Sequence, residues 1–297
     1  MSRAKKQHYV PQSYLRGFAE DGEHLFVFDK STKTSFGTSV SRIASEKYFY
    51  DLSESQSIEE GLAKLDGVYP YWRDSIVKTV KNGKRITLEH QAKLAFFIAM
   101  QVRRTRWFRN FNISIAKQVE EVLGKMSQRF HAKFGVPLKP DASLSEYLAP
   151  DKEEMAKLAQ IQSMRSFSTM HSLAQILVHH IWIVGVNETT QPFYTSDNPV
   201  VIRPHKQHPI RSYSGLESEG IEIAFPLNSR YILALLERAF HANLEARDCD
   251  SMSINEDGVA YYNSLQIAGS YRWFYCSNDS FALAEEICKE SYEERAA

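Results

Sequence analysis

The sequence predicts an α+β fold in which an antiparallel sheet, built from N- and C-terminal segments, packs on a central helical bundle. Three observations predict it. Short β-favouring runs at Leu25–Asp29 and Ser35–Val40 open the chain, and apolar residues at helical spacing dominate the stretch from Ile58 to Trp182. From Ile183 onward β-favouring runs return. Runs segregated in this way argue against the alternation of an α/β fold. A lone hairpin is too small to be stable, so one domain is expected over 1–297. Its parts are an N-terminal helix and hairpin (8–50), a helical middle (58–182) and a β-rich end (183–297).

Pro11 suits the first position of a short helix, with Tyr14, Leu15 and Phe18 at helical spacing behind it. Lys30 to Lys33 reads as the turn of the hairpin, and Lys47–Asp51 as a third short strand. The first long helix runs from Ile58 to Val80, with a kink or restart expected at Pro70. Thr87 is placed to cap the next helix, which should reach about Phe111 and, after a break, Phe134. The stretch 135–150, with Pro137, Pro140 and Pro150, reads as a linker or long loop. Asp151 then caps a helix through Trp182, long enough to expect a break within it.

Strands are expected at Ile183–Val186, Phe193–Thr195, Val200–Arg203, Ile221–Pro226 and Tyr231–Leu236. Between the third and fourth lies a polar loop, 204–220, carrying His205, Lys206, His208 and Arg211. A helix over Val259–Ala268, a strand over Arg272–Cys276 and an amphipathic helix over Phe281–Glu293 complete the chain.

Composition excludes more than it selects. Lys plus Arg and Asp plus Glu are 36 each, so no global field favours nucleic acid or an anionic membrane. Three widely spaced cysteines (Cys249, Cys276, Cys288) match neither a zinc pattern nor a disulfide framework. Met1 to Gln7 is basic but leads into no apolar run of a signal peptide, and no apolar window is long enough to span a membrane. A cytoplasmic location is the expectation.

The stretch Phe193-Tyr194-Thr195-Ser196-Asp197-Asn198-Pro199-Val200-Val201-Ile202 breaks two β-favouring runs with a turn. Asp197 and Asn198 either hydrogen-bond that turn or are presented to a cleft. Helical geometry places Leu94, Phe97, Gln101, Arg104 and Phe108 on one stripe. A Gln and an Arg in an apolar stripe need partners, such as Glu46 or Asp197 for the arginine, or they face a cleft. Arg103, Arg106, Arg109 and Trp107 form a basic cluster, either a solvated helix end or a phosphate patch with an aromatic for stacking.

His171, Gln175 and His179 stand at i, i+4 and i+8; two turns apart, the histidines are about 12 Å apart along the axis, too far for one metal. His8 beside an aromatic cluster suits a general acid or base if a carboxylate orients it. Glu46-Lys47 is one residue short of the Glu-x-Lys of metal nucleases. No P-loop, nucleophile elbow, dinucleotide fingerprint or kinase signature occurs.

The block Gln7 to Phe18, followed by Leu25 to Lys30, resembles the N-terminal signature of an uncharacterised bacterial family, domain-of-unknown-function (DUF) family 4238. Ala44–Asp51, Gln101…Arg104-Thr105, Thr195 to Val200 and Pro226-Leu227 are similar to further blocks of that family, so the resemblance spans roughly residues 5–278. Ser13 and Gly17 depart from the bulkier or amide residues expected there. The resemblance implies one continuous unit and no activity.

The residues themselves imply a polar cleft. His8, Gln101, Asp197 and Asn198 would serve catalysis, while Arg16, Arg104 and Glu46 would bind a ligand carrying phosphate, a nucleotide or nucleic acid. That is the expectation of a hydrolase of the nuclease kind. It names no metal ligand and leaves a divalent cofactor open. The rival is a non-catalytic sensor or interaction protein, such as an accessory component of a bacterial defence or toxin system, in which these residues form a satisfied internal network.

Overall fold

The computed structural model describes residues 6–50, 56–135, 151–208 and 214–296. Its fold is α+β. The hairpin forms as read: β2 (His24–Asp29) and β3 (Thr34–Ser39) pair antiparallel, with Asp29 opposite Thr34. On its other edge β2 pairs with β11 (Trp273–Cys276), which in turn pairs with the two-residue β6 (Thr195–Ser196). This four-stranded antiparallel sheet therefore joins both ends of the chain, in the order β3-β2-β11-β6. A separate pair joins β1 (Lys6–His8) to β4 (Ser45–Lys47), so the third strand lies earlier than the expected Lys47–Asp51.

A five-stranded sheet is built wholly from the second half. Its strands are β5 (Ile181–Asn187), β7 (Val201–Pro204), β8 (Ile221–Asn228), β9 (Tyr231–Leu236) and β10 (Asp250–Ile254), ordered β10-β5-β9-β8-β7. The four-stranded sheet is the expected antiparallel sheet of N- and C-terminal segments; among the described residues this second large sheet stands beside it, and in it β10 pairs parallel to β5, Asp250 opposite Ile183. Ser251-Met252-Ser253-Ile254 alternates polar and apolar as a half-buried strand does, although no strand was expected there.

Both faces of the middle strands are covered. Phe225 and Leu233 face an aromatic core in which Tyr14, Tyr69 and Phe97 pack together, the rings of Tyr69 and Phe97 stacked at 4.1 Å. Ala224 and Ile232 face α7 (Glu256–Gly269) through Val259 and Leu265. Burying one such aromatic contributes roughly 1.5–3 kcal/mol, which helps hold β8 and β9 in place.

The helices differ from expectation mainly at their breaks. Helix α2 (Gln56–Lys81) runs on through Pro70, where a kink or restart was expected. The adjacent Tyr69 is fully buried in the aromatic core, and that packing offsets the missing amide donor. Thr87 caps α3 (Leu88–Arg104) in a reciprocal box with His90. The helix ends at Arg104 rather than near Phe111, because extended Thr105 turns its hydroxyl onto the Phe108 amide and starts α4 (Arg106–Phe134). Similarly, Ser166 separates α5 (Lys152–Arg165, capped by Asp151) from α6 (Phe167–Val178). The linker at 136–150 and part of the 204–220 loop lie outside the described residues. The final helix, α8, spans Ala282–Ala296, and no described helix is long and apolar enough to cross a membrane.

Candidate functional site

Segments distant in sequence meet at one polar junction around α1 (Gln12–Leu15) and the residues before it. The last turn of α3 carries Gln101 and Arg104 on the face that buries Leu94 and Phe97, as the helical period requires. Gln101 donates through Nε2 to the Tyr9 carbonyl at 3.0 Å, and its Oε1 is buried without a partner. Arg104 is 2% exposed. Its partner is neither Glu46 nor Asp197 but Asp66 of α2, gripped by Nη1 at 2.6 Å and Nη2 at 3.0 Å. Nη2 also donates to the His8 carbonyl at 3.0 Å. Burial opposes the guanidinium's charge, but Asp66 and Tyr50 outweigh it and hold its pKa above the ordinary value.

His8 is half-buried on β1. Burial first, then the Lys6 charge, pull its pKa down to about 4, so it is neutral at physiological pH. The Gln12 side-chain amide lies 3.4 Å from its Nε2. Asp197, expected to orient it, is occupied elsewhere. The buried Asp197 carboxylate accepts from three successive backbone amides, those of Tyr271 (2.7 Å), Arg272 (2.7 Å) and Trp273 (2.9 Å). Burial pushes this carboxyl up from its ordinary range, against the pull of those three donors. Asn198 donates to the Gly269 carbonyl at 3.0 Å. The Ser-Asp-Asn-Pro turn is thus the clamp between the end of α7 and β11.

Arg16 stands apart, 3.7 Å from Glu23 at the surface, and Glu46 pairs with Arg106 at 2.6 Å. The basic cluster divides. Arg103 lies over the Phe108 ring, Arg106 over Tyr271, and Arg109 is buried against Phe49, donating to its carbonyl and to Gln160. Trp107 stacks on Phe111. So the structure brings together His8, Gln101 and Arg104, puts Asp197 and Asn198 in a second network, and leaves Arg16 outside both.

Two other constellations are richer in accessible chemistry. Glu222, buried in β8, accepts from Tyr261 Oη at 2.6 Å and lies 2.8 Å from His205 Nε2. His241 stands edge-on to His205, ring centroids 5.3 Å apart, with its own Nε2 buried and unpartnered. The legible signal was the lone acid in the apolar run Ile221–Leu227, because a charge in a doubly covered strand needs partners. The second is an open groove. His171, Gln175 and His179 line a cleft of about 580 Å³ with Phe96, Val178 and Arg238. It adjoins a wider one of about 1010 Å³ edged by His180, Glu217, Glu237 and Glu245. The histidine stripe therefore faces a cleft, while no group of three or more metal-ligating side chains gathers among the described residues.

The blocks that carry the family resemblance are bonded to one another. Tyr14 reaches Thr195 and Pro226, Gln7 accepts from the Tyr50 amide at 2.5 Å, and Tyr50 donates to the Arg104 carbonyl at 2.8 Å. Curated proteins and solved structures gave no match. A family model described as "Protein of unknown function (DUF4238)" matches residues 6–280. The junction is thus made of the segments that this model spans, and the chain belongs to the DUF4238 family.

Proposed function

We propose that the chain is a non-catalytic binding protein, a sensor or interaction component, in which His8, Gln101, Arg104, Asp197 and Asn198 fix the fold. The observation that carries this reading is the Arg104–Asp66 pair. Both prongs of the guanidinium already hold a carboxylate at 2.6 and 3.0 Å, so a phosphate would have to displace it. Apolar side chains exposed along α4, among them Phe111, Val122 and Met126, also favour a protein that docks onto something.

Calorimetric titration of wild type and Arg104→Lys with phosphate, nucleotides and short single-stranded oligonucleotides tests the reading. No saturable anion binding is expected. The substitution should destabilise by about 1–3 kcal/mol, because lysine keeps the charge but cannot span both Asp66 oxygens. Salt-sensitive anion binding that Arg104→Lys weakens would restore the phosphate cleft.

One observation favours a second reading, a hydrolase with its chemistry elsewhere. His205, oriented by buried Glu222, has the arrangement of a general acid–base pair. Hydrolysis of a phosphodiester that His205→Gln abolishes, with the melting temperature unchanged, would establish it in place of the binding role.

A further inference from the structure

We propose that a second copy of this chain docks on α4, the two helices lying antiparallel about a two-fold axis between Val122 and Leu123. The inference rests on the binding-protein reading and names the partner. Helix α4 is 29 residues long, and beyond Arg109 none of its residues is buried. Lys152, at the start of α5, reaches Glu120, and Gln160 reaches Arg109, so α5 runs alongside only the first half of α4. The later half still carries large apolar side chains: Val122 is 56% exposed, Met126 52% and Phe134 57%. A helix of this kind draws most of its stability from burying its apolar face, so this one calls for a cover.

The spacing along the helix identifies the cover. Phe111 and Val122, Ile115 and Met126, Val119 and Phe130, and Leu123 and Phe134 each stand eleven positions apart. Eleven residues make about three helical turns, so these side chains form one straight band. The band reads alike from either end, with steps of 4, 4, 3, 1, 3, 4 and 4 between Phe111 and Phe134. That is what a two-fold interface needs, because each contact there is made twice, i on j and j on i. Reversing one copy about the midpoint sets Phe111 level with Phe134, Ile115 with Phe130 and Val119 with Met126 of the other.

Charge selects the antiparallel sense. The last turns of α4 are basic through Lys125, Arg129 and Lys133, and Glu120 and Glu121 precede them. Parallel copies in register would set each of these three cations beside its own counterpart. Antiparallel copies set Lys125 level with Glu120 instead, and Arg129 and Lys133 level with uncharged Ala116 and Asn112. The positive N-terminal end of each helix then lies near the negative C-terminal end of the other.

Sedimentation equilibrium of the full chain, from about 1 to 100 µM, should give twice the mass of one chain. Val122→Glu/Met126→Glu, at exposed positions, should weaken association about a hundredfold or more by putting charge in the contact, while Tyr71→Glu, exposed on α2, should not. Single cysteines read the geometry. Residue 122 of each copy lies beside the axis, so Val122→Cys should form a disulfide between copies under mild air oxidation. The two Ile115→Cys sites would lie roughly 22 Å apart along the axis and should not. Should the double variant fail to fold, the cysteine pair decides. A chain that is monomeric at about 100 µM, a double variant that associates like wild type, or cross-linking at Ile115→Cys equal to that at Val122→Cys overturns the proposal. In a monomer the band would belong to a different protein, and the anion titration with Arg104→Lys still stands, so the binding-protein reading and this partner fail separately.

Discussion

Tyr14 places its hydroxyl 2.7 Å from Thr195 Oγ1, joining residues 181 positions apart. The same hydroxyl donates to the Pro226 carbonyl at 2.8 Å, so Thr195 is the donor in their pair. Burial holds the phenol protonated, with its pKa well above the ordinary value. Tyr14→Phe keeps the ring contacts with Tyr69 and Phe225 and deletes only the hydroxyl. It should cost about 1–3 kcal/mol, read as a fall in the urea midpoint, because Thr195 and Pro226 lose a buried partner. An unchanged midpoint would mean that the junction does not hold the two halves together.

Asp197→Ala strips the acceptor from three amides at once. Hydrogen bonds to a charged group exceed those of a simple turn, so a loss of about 2–4 kcal/mol is expected in chemical denaturation. A variant as stable as wild type would return Asp197 to the list of functional candidates.

His8 makes stability depend on pH. Its folded-state pKa, about 4, lies below the unfolded value near 6.5, so protonation favours the unfolded chain. Its contribution is intact above pH 6.5 and is lost as pH falls toward 4. With screening of this half-exposed ring, the loss should be on the order of 1–3 kcal/mol. His8→Gln should lose less stability than wild type between pH 7 and 4.5. Parallel curves would show that the ring titrates freely.

Gly17 sits where a side chain would collide. A Cβ there would meet Arg73 Nη1 at 2.9 Å and the Leu227 carbonyl at 3.3 Å, and its own carbonyl accepts from Ser229. Arg73 can swing away but the backbone cannot, so Gly17→Ala should cost about 1–3 kcal/mol. Gly61, in α2 with nothing within 4 Å, is the contrast: Gly61→Ala should stabilise by about 0.5–1 kcal/mol. Matching melting-temperature shifts would refute the distinction.

Periodicity and capping chemistry were legible without a structure. Strand β9 spans Tyr231–Leu236 as its composition indicates, Thr87 and Asp151 cap as expected, and Gln101 and Arg104 are buried on the predicted stripe. These are local properties, set by side-chain spacing along a helix or strand. Local spacing also requires a buried arginine to have a partner but cannot choose it. Asp66, Glu46 and Asp197 are equivalent carboxylates until α2 and α3 pack side by side, and that packing selected Asp66. The parallel pairing of β10, the three amides converging on Asp197 and the groove facing the histidine stripe arise the same way. Each depends on which surfaces meet across long stretches of chain, and only tertiary packing decides that.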